Sequence, residues 1–238
     1  MIKAILCDLD DTIISFDSVS EQYWWETCYR FAPRIDGLEA DRLFTTIQES
    51  RVWYWSDPVR SSQGRVSLIK VRREVVAEAF TRLGINDPAL ANEIADWYSV
   101  ERDKAAYLLP RAVDTLNHFR NHGYRLALVT NGSSDYQRNK IERFGLTHLF
   151  DCILIEGEFG AGKPDERVFS HVLERLGVTA GEALMIGDNL EHDIAGAQKL
   201  GIFSIWVDWR ETGLPESTTI QPDRIIRTLS DLLSQKLP

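Results

Sequence analysis

The stretch Ile5-Leu6-Cys7-Asp8-Leu9-Asp10-Asp11-Thr12 decides how this chain is read. Its apolar half is a short strand of the kind buried on both faces, and its acidic half sets Asp8 and Asp10 two residues apart where that strand runs out. Such strands belong to parallel sheets covered by helices, and in open α/β sheets ligands bind beyond the carboxyl ends of the strands. Two carboxylates this close repel one another unless something positive lies between them. A divalent cation with oxygen ligands, usually Mg²⁺, meets that need and suits a phosphate substrate. Asp is also an ordinary turn former, so the weight of this stretch depends on its partners elsewhere in the chain.

Three more segments come in order: Val129-Thr130-Asn131-Gly132 after a second apolar strand, Gly162-Lys163-Pro164 in a glycine-rich loop, and Ile186-Gly187-Asp188-Asn189-Leu190-Glu191-His192-Asp193 after another strand. Taken with the first, they resemble the four motifs of the haloacid dehalogenase superfamily, which lie at strand ends of one Rossmann-like sheet. The resemblance runs from Ile2 to about Pro222, and the ordered set is far more specific than any one member.

The chain has 238 residues, 44% of them hydrophobic, enough for a sizeable core in one or two domains. A net charge of -9 and a pI near 5.1 argue against nucleic acid or an anionic membrane as the main partner. Cys7, Cys28 and Cys152 are odd in number and widely spaced, which favours a reducing cytoplasm over a disulfide framework. The segment before Asp8 is too short in apolar residues for a signal peptide, and no later run reaches membrane-spanning length. The expectation is a cytoplasmic protein acting on a small-molecule phosphate ester, as monomer or homodimer.

After Thr12 the apolar spacing turns helical, through Val19, Tyr23 and Trp24, then Leu43 and Ile47, then Val75, Val76 and Phe80, then Leu90, Ile94 and Tyr98. Asp87-Pro88 opens the last of these helices as N-cap and first-turn proline. From Pro110 onward helix and strand alternate, with strands expected at Tyr124 to Val129, Cys152 to Ile155, Ala183 to Ile186, Phe203 to Val207 and Ile225-Ile226, and a closing helix near Leu229 to Leu237. The expected fold is α/β: a Rossmann-like parallel sheet flanked by helices, split between residues 1–14 and 108–238, with an all-helical domain inserted at 15–107. In the superfamily a helical cap inserted after the first motif covers the active site.

The resemblance implies a role for each motif residue. Asp8 would be the nucleophile, forming an aspartyl-phosphate. Asp10 would be the general acid and then the general base, its backbone carbonyl going to the metal and its side chain staying free for proton transfer. Thr130 and the Asn131 backbone N–H would hold the transferring phosphoryl oxygens, with Lys163 reaching the same oxygens. Mg²⁺ would be bound by Asp8, Asp10 and Asp188, and Asp193 would orient Lys163 or a metal-bound water.

Gly157-Glu158-Phe159-Gly160-Ala161-Gly162-Lys163 also spells most of a nucleotide-binding P-loop, but Pro164 stands where that loop needs a hydroxyl. Asp10 separates the chemistries: dehalogenating and phosphonate-cleaving members carry other residues there, so a phosphatase is favoured. A sugar-phosphate mutase, which shares all four motifs, is the first alternative, followed by a dehalogenase and a ligand-binding protein that does no chemistry. Gln137 and Lys140 resemble the subgroup of small-metabolite phosphatases that includes pyrimidine nucleotidases and N-acylneuraminate-9-phosphatase.

In the helical insertion Trp24, Trp25, Trp53, Tyr54 and Trp55 read as core, with stacking on a substrate as the other use. Arg51, Arg60 and Arg65, and the Lys70-Arg72-Arg73 cluster, read as a solvated helix face. The histidines stand isolated in sequence and receive no role.

Overall fold

The computed structural model describes residues 1–65, 67–235 and 237–238. The chain divides into two compact units, one made of Met1–Ser15 with Tyr107–Pro238 and the other of Phe16–Ala106.

The second unit is helical: α1 (Asp17–Phe31), α2 (Ala40–Trp55), α3 (Pro58–Gly64), α4 (Leu68–Leu83) and α5 (Pro88–Ala105). Asp87 caps α5 as its sequence signals, its side chain accepting the Leu90 N–H at 2.9 Å. The apolar stripes of these helices converge on a core of their own, including Phe31, Leu43, Ile47, Val75, Phe80 and Ile94. Trp24 and Tyr54 belong to that core, and Trp24 stacks on Tyr98 with ring centroids 3.6 Å apart. Trp25 and Trp55 are exposed, while Trp53 lies beneath Arg60, whose Cζ is 4.0 Å from the indole. Arg51 donates to Gln48 and to Ser20. Arg72 departs from the expected solvated face: it is buried against Tyr98, its guanidinium 5.3 Å from the ring and 3.8 Å from the Asp103 carboxylate. Arg72 turns inward while Lys70 and Arg73 stay exposed because the 3.6-residue period places it one turn before the buried Val75 and Val76.

In the first unit the strands β1 (Ala4–Cys7), β2 (Arg125–Thr130), β3 (Cys152–Ile155), β4 (Ala183–Gly187), β5 (Phe203–Val207) and β6 (Arg224–Ile226) pair in parallel in the order β3-β2-β1-β4-β5-β6. Successive side chains go to opposite faces and both faces are buried. Ile5, Cys7, Leu128 and Ile186 pack on one side with α6 (Ala112–Asn121), and Ala4, Leu6, Val129 and Met185 pack on the other. α7 (Ser134–Arg143) sends Ile141 to the first face, a single turn α8 (Glu156–Phe159) follows β3, and α9 (Glu166–Leu176) covers the second face with Val168, Phe169 and Val172. This is the Rossmann-like layering the sequence pattern leads one to expect.

Two sequence expectations change. The closing helix is a short 3₁₀ segment, Leu229–Ser234, because a Thr228/Asp231 capping box starts it and an i, i+3 pair, Leu229 and Leu232, is all it buries. The histidines are not all isolated: His118 on α6 and His122 at its C-terminal cap lie with ring centroids 4.0 Å apart. Among the described residues no helix is long and apolar enough to cross a membrane.

Candidate active site

The chain runs from β1 outward through β2 to β3 on one side, then crosses to β4, β5 and β6 on the other, so the direction of winding reverses between β1 and β4. Such a switch point opens a crevice at the carboxyl ends of the strands. Asp8 follows β1 directly, its N–H donating to the Ile186 carbonyl at 2.9 Å. Thr130 is the last residue of β2, and Asp188 follows the end of β4. The Trp206 indole donates to the Asp188 carbonyl at 2.7 Å and fixes the backbone there.

Lys163, on the loop between α8 and α9, is buried between two acids: its Nζ lies 2.6 Å from Asp8 Oδ1 and 2.5 Å from Asp193 Oδ1. Its backbone is clasped by the side chain of Asn131, whose Oδ1 accepts the Lys163 N–H at 2.7 Å while Nδ2 donates to the Lys163 carbonyl at 2.8 Å. Gly162 permits this approach, since a Cβ there would stand 2.8 Å from Asn131 Oδ1. The motif Thr-Asn-Gly therefore does more than turn the chain: its amide seats the loop that carries the lysine.

Asp193 reaches the site through an irregular helix. Leu190–Ala195 winds as a π-helix, with the Ile194 N–H bonded to the Asn189 carbonyl five residues back. That wide turn brings the Asp193 carboxylate against the Asn189 N–H, 3.0 Å from Oδ2, and over Gly187, where any Cβ would collide with it. Carboxylate oxygens of Asp8, Asp188 and Asp193 all lie within 4.8 Å of one another. Asp10 stands apart from this cluster by its side chain, which α7 holds. Lys140 Nζ donates to both Asp10 oxygens, at 2.6 and 2.7 Å, and Gln137 Nε2 donates to Oδ2 at 3.0 Å.

The electrostatics reflect burial and crowding. Burial foremost lifts the Asp8 carboxyl to about 7; Lys163 pulls it down, and Asp193 and Asp10 push it further up. Asp188 is raised well above the ordinary carboxylate range, first by burial and then by Asp8, Asp193 and Asp11. Burial disfavours the charge on Lys163, but the Asp193 and Asp8 carboxylates outweigh it and hold the ammonium above the usual lysine range. Cys7, directly before Asp8, is driven up by burial and stays a thiol.

Three carboxylates therefore share one buried ammonium. Their oxygens outnumber that one cation and are hard donors, a set that fits Mg²⁺. The grip of α7 on Asp10 is a feature that the sequence motifs do not announce. The available signal is the i, i+3 spacing of Gln137 and Lys140, which puts both on one helix face.

Comparisons with known proteins point to one family. A family model for haloacid dehalogenase-like hydrolases matches residues 2–201. Phosphoserine phosphatase of Thermus thermophilus is 34% identical over 97% of this chain and 97% of its own length. N-acylneuraminate-9-phosphatase of Rattus norvegicus is 35% identical over 97% of this chain and 92% of its own length. Among solved structures, a Bacillus subtilis protein described as a HAD-hydrolase and bound to magnesium superposes with a TM-score of 0.70 at 25% identity, covering 97% of this chain and 96% of its own.

Proposed function

The chain belongs to the haloacid dehalogenase-like hydrolases, and on that premise we propose that it is a Mg²⁺-dependent phosphatase of a small phosphorylated metabolite, working through an aspartyl-phosphate on Asp8. The observation that carries this reading is the pairing at the end of β1. Asp8 sits on the buried floor against Lys163, and Asp10, two residues on, sits nearer water. A nucleophile and a proton donor are thus supplied by one turn of chain.

A phosphate monoester resists attack because its anionic oxygens repel nucleophiles, so the site must neutralise charge, align the attack and protonate the leaving oxygen. In the first step an Asp8 oxygen forms a bond to phosphorus, the ester P–O bond breaks, and the leaving oxygen takes the proton carried by Asp10. In the second step Asp10 removes a proton from water, the water oxygen attacks phosphorus, and the Asp8–phosphorus bond breaks to release phosphate. Lys163, the Thr130 hydroxyl and the Asn131 N–H hold the phosphoryl oxygens throughout. Asp8 and Asp188, with the Asp10 carbonyl, would hold Mg²⁺, which when bound neutralises phosphoryl charge and relieves repulsion among the acids. Asp193 keeps Lys163 aimed at Asp8.

Two relatives matched over nearly their full length are named for phosphoserine and for N-acylneuraminate 9-phosphate. Another, 31% identical over 86% of this chain, is named for glyceraldehyde 3-phosphate. We assign this chain a substrate of the same class, a small polar phosphate ester. Phosphate release from a panel of sugar phosphates, nucleoside monophosphates and phosphorylated acids, with and without Mg²⁺, tests this. Mg²⁺-dependent release is expected. Interconversion of sugar phosphates primed by a bisphosphate, without phosphate release, would replace the hydrolase with a mutase.

A further inference from the structure

Gln137 and Lys140 are both buried, although one is polar and the other charged. The Tyr136 ring, its centre 4.7 Å from Lys140 Nζ, shelters one side of the ammonium, but the hydrogen bonds of both side chains reach Asp10, far away in the sequence. Lys140 Nζ spans both oxygens of Asp10, a two-point grip that stops the carboxyl from rotating about its Cβ–Cγ bond. Gln137 Nε2 lies 2.6 Å from both Thr130 Oγ1 and the Asn131 carbonyl and 3.0 Å from Asp10 Oδ2, so one amide touches the first motif and the second together. Because Thr130 Oγ1 receives that bond as an acceptor, its own hydrogen serves as donor, to the Asn131 carbonyl at 3.4 Å in this structure. Burying an amide and an ammonium costs free energy unless their partners are well placed. A helix that served only to cover the sheet would carry apolar residues there, as it does at Ile141.

We propose that Gln137 and Lys140 are positioning residues for proton transfer, with Lys140 fixing the Asp10 carboxyl on the leaving-group side and Gln137 locking it in register with the Thr130 hydroxyl. The proposal rests on the phosphatase reading of the site. Lys140 keeps its own protons in both steps. The proton that moves goes from Asp10 to the leaving oxygen, and later from water back to Asp10. What the pair supplies is placement, which matters because a proton transfer mis-set by a fraction of an ångström loses its catalytic advantage.

The test compares two aryl esters of nearly the same shape. p-Nitrophenyl phosphate releases a stable phenolate that needs little help from an acid, whereas phenyl phosphate releases a more basic one that does. Rapid-mixing measurement of phosphoryl transfer in Lys140→Met should show a loss about 10-fold larger on phenyl phosphate than on p-nitrophenyl phosphate, a fraction of the full value of general acid catalysis. KM should be little changed, and Lys140→Arg should recover most of the loss. Gln137→Leu should show the same selectivity in weaker form and serves if Lys140→Met melts below the assay temperature. Equal losses on both esters, or a loss confined to KM, would mean that α7 acts only as scaffold and would overturn the proposal. Wild-type protein silent on both esters and on the metabolite panel overturns the phosphatase reading itself, and this proposal falls with it.

Discussion

Two lysine–aspartate pairs meet at the end of the same strand, and their surroundings differ. In the Lys163–Asp8 pair the side chains are 2% and 9% exposed; in the Lys140–Asp10 pair they are 10% and 23% exposed. The inner pair shares its pocket with Asp188 and Asp193, so its carboxylate is desolvated, crowded and lifted to about 7. The outer pair is held by one helix face and opens toward water. A nucleophile gains from a dry, charge-compensated floor, whereas a group that must give up a proton and take one back needs a route to solvent. On the proposed reading, burial gives similar residue pairs different work.

The comparison breaks first at the nucleophile. Asp8→Asn should lower turnover by at least about 10⁴-fold while the protein keeps its far-UV spectrum and cooperative melt. Asp10→Asn should lower kcat by about 10² to 10⁴-fold in both half-reactions, read by separate measurement of phosphoenzyme formation and decay. A variant that lost only substrate affinity would contradict its acid and base role.

The pairs should also separate in stability. Lys163→Met strands three acids without their buried cation and should cost about 3–5 kcal/mol in chemical denaturation. The same change at Lys140 should cost less, since Asp10 can turn to water. The smallest effect is the pH dependence of the metal-free protein. Asp8 ionises near 7 when folded against 3.8 when not, so between these values the native state holds a proton the unfolded chain has lost. Stability is then fully present below about pH 4 and falls as pH rises toward 7, by on the order of 1–4 kcal/mol at about 1.4 kcal/mol per unit. Mg²⁺ should flatten that slope, and a metal-free protein whose stability rose over this interval would contradict the crowding of Asp8.

Much of this is legible in the sequence because it is written locally. The apolar run at Ile5 to Cys7 marks a strand buried on both faces, and the glycine ends of the helices at Gly145 and Gly177 set the βα rhythm. Asp8, Thr130 and Asp188 can be placed at strand ends because a parallel sheet brings such ends to one edge. The hidden part depends on geometry that no short window encodes. The grip on Asp10 comes from a helix 127 and 130 positions away in the chain. Asp193 returns to the cluster because the turn after Asn189 widens to a π-helix over a side-chain-free Gly187, whereas an even helical count would leave it half a turn aside. Arg72 shows the same limit in the helical unit, since a charged run looks solvated until the helix phase is known.

The central claim is that Asp8 carries the phosphoryl group. Wild-type protein should be mixed with Mg²⁺ and p-nitrophenyl phosphate, quenched in acid within the first turnover and examined by intact-mass and peptide mass spectrometry. The account predicts a gain of one phosphoryl group, located at Asp8 and absent from Asp8→Asn. Rapid product release with no phosphoryl group on the protein, or undiminished turnover by Asp8→Asn, would contradict it.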